Sequence, residues 1–470
     1  MRSRTIRRSP AATVAVVVLL GLLAACSSSG GGDNGDFRRD NGAKNNSTDS
    51  TDQPTKKTTT TVPAPTTTVD ATTTTEEVEI TVQPVDGEID DIIVRETVAD
   101  LNEWWTQTFP SLYPAASYSP PVAGAWTLRP GDEIPCGSVV VVYDDVADNA
   151  IYAPCDDQTD GVFFDIEQLL PRLAASSGQF APAFVAAHEW GHLIQARGGE
   201  PNTESVLLEL QADCFAGTWV GHVVQDGTPF EIIPSDIDVA LSALLSVADP
   251  VGVGATEAGA HGSGFDRVSA FAAGLADLAW CVSFQTDPPP IFEMQFTSDK
   301  DAESGGNLPL VQFADLAKQD LETFFLTEID PNYPLPGQYQ EGTCDGREVI
   351  LDYCATTGTI VFNRERLQAF HDFFGDFATG TLLARAYAAT IGVAPQIANC
   401  ITGAFARELI LHEGDDPPLY QLVLSPGDLD EAVRVFLFES MDGDGIFSVL
   451  SMGRGILEGL DACADIAQNG

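Results

Sequence analysis

Eight cysteines between residues 136 and 463 fall into two sets of four, and the sequence around them repeats in the same order. "VADLNEWWTQTF" from Val98 is answered by "FADLAKQDLETF" from Phe313, and Gly178–His192 aligns without gaps to Gly375–Ala389 with four identities in fifteen. "LQADCFAG" is then answered by "QIANCITG", "DIDVALSALLS" by "DLDEAVRVFLF", and "GLADLAWC" by "GILEGLDAC". Whatever layout the first half adopts, the second is expected to adopt in worn form. If the halves share a fold, the pairing consistent with both is Cys136 with Cys155, Cys214 with Cys281, Cys344 with Cys354, and Cys400 with Cys463.

The pattern along each half is mostly helical. "VADLNEWWTQTF" has helical spacing, "SVVVVYDD" and "GVFFDIEQ" begin as short strands, and Pro182–Arg197 reads as a helix ended by Gly198 and Gly199. "TESVLLELQADCFAGTWVGHVV" is a second long helix with Asn202 or Thr203 as its cap. The expected class is α+β, predominantly helical, with a small β-sheet in the first domain and a degenerate tandem copy after it.

Ahead of the repeats, Arg2, Arg4, Arg7 and Arg8 precede an apolar run that ends in Leu23-Ala24-Ala25-Cys26. A charged start, a short apolar middle and small residues before a cut make a secretory signal, too short to remain as a membrane span. The ending resembles the bacterial lipobox, which is cut before the cysteine, so Cys26 is expected to carry lipid and anchor the chain to the bilayer. From Ser27 to about Ile80 the chain is mostly Ser, Thr, Asn, Gly, Asp and Pro, without apolar periodicity, and reads as a disordered tether. Its r.m.s. reach as a flexible coil is roughly 40 Å. The expected order is a signal peptide over 1–25, the tether over 26–85, a first domain over 86–285, a linker over 286–310 and the second copy over 311–466.

The formal charge is -46, and loss of four arginines with the signal makes it -50. Such a surface repels nucleic acid and anionic headgroups, which excludes electrostatic binding to either. An even number of cysteines beyond Cys26 fits disulfides on the extracytoplasmic face of a cell membrane.

Two of the six histidines lie four residues apart in "FVAAHEWGHLIQ". On a helix, His188 and His192 share one face and can aim both imidazoles at one metal ion, and Glu189 projects beside them as a base for a metal-bound water. "ELQADCFAG" offers Glu209 as the third ligand and, one turn on, Asp213 to accept a hydrogen bond from a ligand histidine. His261 in "AHGSGFDR" and Tyr152 are candidate donors to a developing oxyanion. Trp190 is assigned to helix packing, and His222, His371 and His412 to ordinary roles.

"FVAAHEWGHLIQ", "ELQADCFAGTW" and "HGSGFDRVSAFAAGL" resemble the successive motifs of the bacterial neutral zinc metallopeptidase family, and "IYAPCDDQTDGVFFD" resembles its upstream segment. The likeness covers about Ala99 to Cys281. It implies a zincin-like, gluzincin-type peptidase with Zn2+ held by His188, His192 and Glu209, Glu189 as catalytic base and Asp213 as orienting acid. Leu193 departs from the family pattern, where a histidine is common. The family's substrates are poorly defined, so the expected partner is a peptide or protein of the cell envelope. The reading from another class is a noncatalytic envelope binding or assembly lipoprotein with a structural zinc or no metal; an open coordination position separates the two.

In the second half, Arg385 stands at the position of His188, Ala386 at Glu189 and Ala389 at His192, while Pro395 and Asn399 stand for Glu209 and Asp213. A guanidinium cannot coordinate a cation, so this copy is expected to be catalytically dead.

Overall fold

The computed structural model describes residues 81–199, 205–227, 229–246, 260–440 and 443–469. The signal peptide, Cys26, nearly all of the tether and the cap residues Asn202 and Thr203 lie outside the described residues. The first helix among the described residues, α1 (Ile92–Leu112), starts where the Asp91 carboxylate accepts the Val94 N–H at 3.0 Å. Val94, Val98, Leu101, Trp105 and Phe109 recur every three or four residues and give it one buried stripe.

A three-stranded mixed sheet follows, made of β1 (Ala125–Leu128), β2 (Ala150–Asp156) and β3 (Thr159–Asp165). The order is β1-β3-β2, with β1 parallel and β2 antiparallel to the central β3. Apolar Val162, Phe163 and Phe164 suit β3 to burial on both faces. The Cys136–Cys155 disulfide pins a hairpin (Glu133–Cys136 with Val139–Val142) to β2.

The helices α2 (Leu169–Ser177), α3 (Ala181–Gly198), α4 (Ser205–Asp226), α5 (Pro234–Ser246), α6 (Gly264–Ala276) and α7 (Leu278–Ser283) complete the first region. Pro182 starts α3 and Gly199, at φ 72°, ends it in the left-handed conformation that glycine tolerates. Glycines set the spacing between the long helices. A Cβ on Gly191 of α3 would lie 2.8 Å from the backbone of Ala212 in α4, and a Cβ on Gly274 of α6 would lie 1.8 Å from the Cys214 carbonyl oxygen. Side chains larger than hydrogen would force these helices apart. The Cys214–Cys281 disulfide joins α4 to α7 across the same contact.

The second region contains α8 (Leu310–Phe324), β4 (Tyr339–Glu341), β5 (Leu351–Cys354), β6 (Thr359–Phe362), α9 (Arg364–Phe374), α10 (Asp376–Ala389), α11 (Pro395–Leu411), α12 (Asp428–Glu439), α13 (Gly445–Glu458) and α14 (Leu460–Asn469). Its sheet has the order β4-β6-β5, again with a parallel and an antiparallel neighbour around the central strand. The remaining disulfides are Cys344–Cys354 and Cys400–Cys463, so the four bonds are the pairs to which the matched cysteine order points. The molecule is thus a mostly helical α+β protein with small mixed sheets.

The two regions share one core. Leu241, Phe265 and Phe271 belong to the same continuous cluster of buried apolar side chains as Leu429, Val433, Ile446 and Met452. Among the described residues no helix is long and apolar enough to cross a membrane.

The Gly274 contact generates a prediction of sign. Gly→Ala in an ordinary helix interior stabilises by about 1 kcal/mol. Gly274→Ala should instead destabilise by about 3 kcal/mol, because the added methyl meets a backbone carbonyl that cannot rotate away. Denaturant unfolding measures the difference, and a neutral or stabilised variant would show that the helices do not approach so closely.

Candidate metal centre

His188 and His192 sit on adjacent turns of α3, their rings 4.9 Å apart and nearly perpendicular. The close α3–α4 contact at Gly191 brings Glu209 of α4 over both of them. His188 Nε2 lies 3.2 Å from Glu209 Oε2 and His192 Nε2 lies 3.5 Å from Glu209 Oε1. One donor atom from each of the three lies within 4.8 Å of the other two. Two imidazole nitrogens and a carboxylate, converging from two rigid helices, fit a catalytic zinc and leave a further position open.

The far side of each imidazole is held. His188 Nδ1–H donates to Asp213 Oδ1 at 2.7 Å, which turns Nε2 toward Glu209. Asp213 is completely buried and is clamped by Arg267 of α6, with Nε donating to Oδ2 at 2.8 Å and Nη2 to Oδ1 at 3.0 Å. His192 Nδ1–H donates to Gln195 Oε1 at 2.9 Å. The Gln195 amide is itself fixed, since its Nε2 donates to the Leu208 carbonyl at 2.6 Å.

The electrostatics favour a cation. Burial opposes charge on His188, but the carboxylates of Asp213 and Glu209 outweigh it and raise the imidazole to about 10. Burial likewise opposes charge on Glu209, and hydrogen bonds from His188 and His192 outweigh it, holding the carboxyl far below its ordinary range. The potential that favours protons on the two imidazoles also favours a divalent ion in their place.

Glu189 is buried beside His188, and its Oε2 accepts the Tyr152 backbone N–H at 2.7 Å. Burial raises its pKa, and Glu209 adds to the effect. These groups line a cavity of about 260 Å3, together with Tyr152, His261, Arg267 and apolar Leu173, Phe184 and Leu244.

Other expected positions are placed as follows. His261 is exposed on the cavity wall. The side chain of Tyr152 corrects the expectation of an oxyanion donor: its hydroxyl donates to Asp160 Oδ2 at 2.8 Å, and it is the strand's N–H that serves the site. Asp160 is also paired with Arg197 at the end of α3, a partly buried ion pair that ties this helix to β3. Trp190 is fully buried, with its indole N–H donating to Tyr118. His222 stacks on Trp104, His371 bonds the Leu308 carbonyl and His412 bonds Asp415, all apart from the cluster.

Gln195 and Arg267 are the residues that sequence reasoning missed. A buried glutamine three positions after His192 and an arginine in "GSGFDR" were both in view, but only the folded helices bring them to the ligands. At the second region's aligned positions, Arg385 forms an ion pair with Glu439. The Asn399 Oδ1 atom is buried with no hydrogen-bond partner among the described residues.

Comparison with known proteins agrees with this geometry. The chain is 33% identical over 159 residues to Uncharacterized protein YpfJ of Escherichia coli strain K12, covering 28% of this chain and 53% of that protein. It is 31% identical over 173 residues to Uncharacterized protein Rv2575 of Mycobacterium tuberculosis strain ATCC 25618 / H37Rv, covering 32% of this chain and 55% of that protein. The chain spans about half the length of the curated relatives it matches, and their names assign no activity. No solved structure matches the chain. A family profile described as "Putative neutral zinc metallopeptidase" matches residues 58–284, the segment that carries His188, His192, Glu209, Asp213 and Arg267, and over that segment the chain is similar to this family.

Proposed function

We propose that the chain is a zinc-dependent peptidase whose site is His188, His192 and Glu209 with Glu189 as general base. The observation that carries this reading is the convergence of the three donor atoms within 4.8 Å, on a cavity that Glu189 also lines. When bound, zinc supplies Lewis acidity that polarises a carbonyl and lowers the pKa of water toward ~7. Asp213 and Gln195 keep the Nε2 atoms of His188 and His192 aimed at the ion. The Tyr152 N–H holds one carboxylate oxygen of Glu189, and the other takes the proton of the attacking water and returns it to the leaving amine. Burial makes that carboxylate a stronger base than it is in water. His261, exposed on the same wall, is the proposed donor to the oxyanion. Strand β2 is an edge strand, and its residues Ala150, Ile151 and Tyr152 line the cavity, which supports an extended peptide or protein segment as substrate.

The second region is proposed to be a catalytically dead copy of the first. Its sheet order, its disulfides and its glycine contacts support this: Gly217 and Gly403 each follow a bonded cysteine by three residues, and each meets a backbone carbonyl of a neighbouring helix at 2.0 Å if a Cβ is added. The proposed location is the extracytoplasmic face of a cell membrane, anchored through lipid on Cys26. Four disulfides support an oxidising compartment.

Three outcomes are expected. Mass spectrometry should find one zinc per chain, lost in Glu209→Ala, and Glu189→Gln should keep the zinc while cleavage of a quenched peptide library falls by about 10²–10⁴-fold. Zinc retained without hydrolysis in the wild type would favour a noncatalytic role. Asp213→Asn should weaken zinc binding by about 10–100-fold in a chelator competition, since an amide no longer fixes the His188 tautomer. Cys26→Ser should move the chain from the membrane pellet to the soluble fraction, and a variant that stays in the pellet would remove the lipid anchor from the reading.

A further inference from the structure

Two carboxylates cross between the regions in a reciprocal exchange. Asp430, on α12 of the second region, accepts the Gly264 N–H at 2.9 Å and the Phe265 N–H at 2.7 Å, the first free amides of α6. Asp238, on α5 of the first region, accepts the Gly445 N–H at 2.9 Å and the Ile446 N–H at 2.8 Å, the first free amides of α13. The two aspartates occupy the same place in the aligned segments "DIDVAL" and "DLDEAV". Both are buried, so each gains charge-assisted bonds and a helix N-terminus in exchange for water.

The two exchanges end differently. One turn into α6, Arg267 grips Asp213, and Asp213 fixes Nδ1 of His188. Gly264 is part of the fit, because a Cβ there would lie 3.0 Å from Asp430 Oδ2 and 2.4 Å from Leu245. In α13 the residue one turn on is Ser448, and the position matching Asp213 holds Asn399. The Asp430 exchange therefore leads into the metal centre, and the Asp238 exchange does not.

We infer that Asp430 is a positioning residue for the metal centre: the second region, through this carboxylate, sets where α6 begins and so holds Arg267 against Asp213 and His188. This inference rests on the zinc-peptidase reading. It also gives the second region a task at the site of the first that requires none of the metal ligands it lacks.

The test compares full-length wild type with Asp430→Ala, Asp430→Asn and Asp238→Ala by zinc affinity, by kcat and KM on a quenched peptide, and by amide hydrogen exchange of the metal-free protein. Asp430→Ala should expose the first turn of α6 to exchange, weaken zinc by about 10-fold or more and lower kcat more than it raises KM. Asp430→Asn, which keeps a carbonyl oxygen for one amide, should recover part of each loss. Should Asp430→Ala not fold, the Asn variant carries the comparison. Asp238→Ala should expose the first turn of α13 and leave zinc affinity and kcat within about twofold of wild type. Equal zinc affinity in wild type and both Asp430 variants, or equal losses in Asp238→Ala and Asp430→Ala, would overturn the inference alone. A folded wild type that binds no zinc would overturn the peptidase reading and this inference with it.

Discussion

A carboxylate with no access to water governs the site. Asp213 is completely buried, and an isolated anion in that position would be prohibitively expensive. It is tolerated because Arg267 reaches it from α6 and His188 from α3. Removing Arg267 would leave the anion with only an imidazole beside it, and breaking a buried pair in this way typically costs about 3–5 kcal/mol. Three helices from separate parts of the chain are thereby obliged to meet, and the imidazole that meets Asp213 has only its Nε2 left to offer a metal. Stability of the helix cluster and orientation of the ligand are the same interaction.

Glycine makes that meeting possible. Gly191 lies inside the histidine motif, yet its visible task is packing: it lets α4 approach until Glu209 stands over both imidazoles. Gly217 and Gly274 do the same between α4 and α6, and Gly403 and Gly455 between α11 and α13. The second region has the same close helix spacing, but at its aligned positions none of His188, Glu189, His192, Glu209 or Asp213 recurs. At the position aligned with Asp213, Asn399 has a buried Oδ1 with no hydrogen-bond partner among the described residues.

Local periodicity made much of this legible in the sequence. The four-residue spacing of His188 and His192, and of Glu209 and Asp213, is a property of one helix turn and needs no tertiary information. The disulfides could be ordered because two copies of the spacing constrained each other. Tyr152 was misread because a strand contributes through two kinds of group, and side-chain type says nothing about where a backbone N–H points. Arg267 and Asp430 were silent for another reason. Their partners lie 54 and 166 residues away, and no local pattern marks a contact that exists only once α4, α6 and α12 have packed.

The reciprocal Asp238 and Asp430 contacts have the form of an isologous interface, in which one patch serves both sides of a two-fold axis. In a symmetric homodimer every substitution appears twice, so neither subunit could lose its ligands and still leave its partner an intact neighbour. Joined in a single polypeptide, the two sides mutate independently. Under the proposed function, one side is then free to lose its metal-binding residues and keep its shape, while the other keeps them beside a permanent, covalently tethered support.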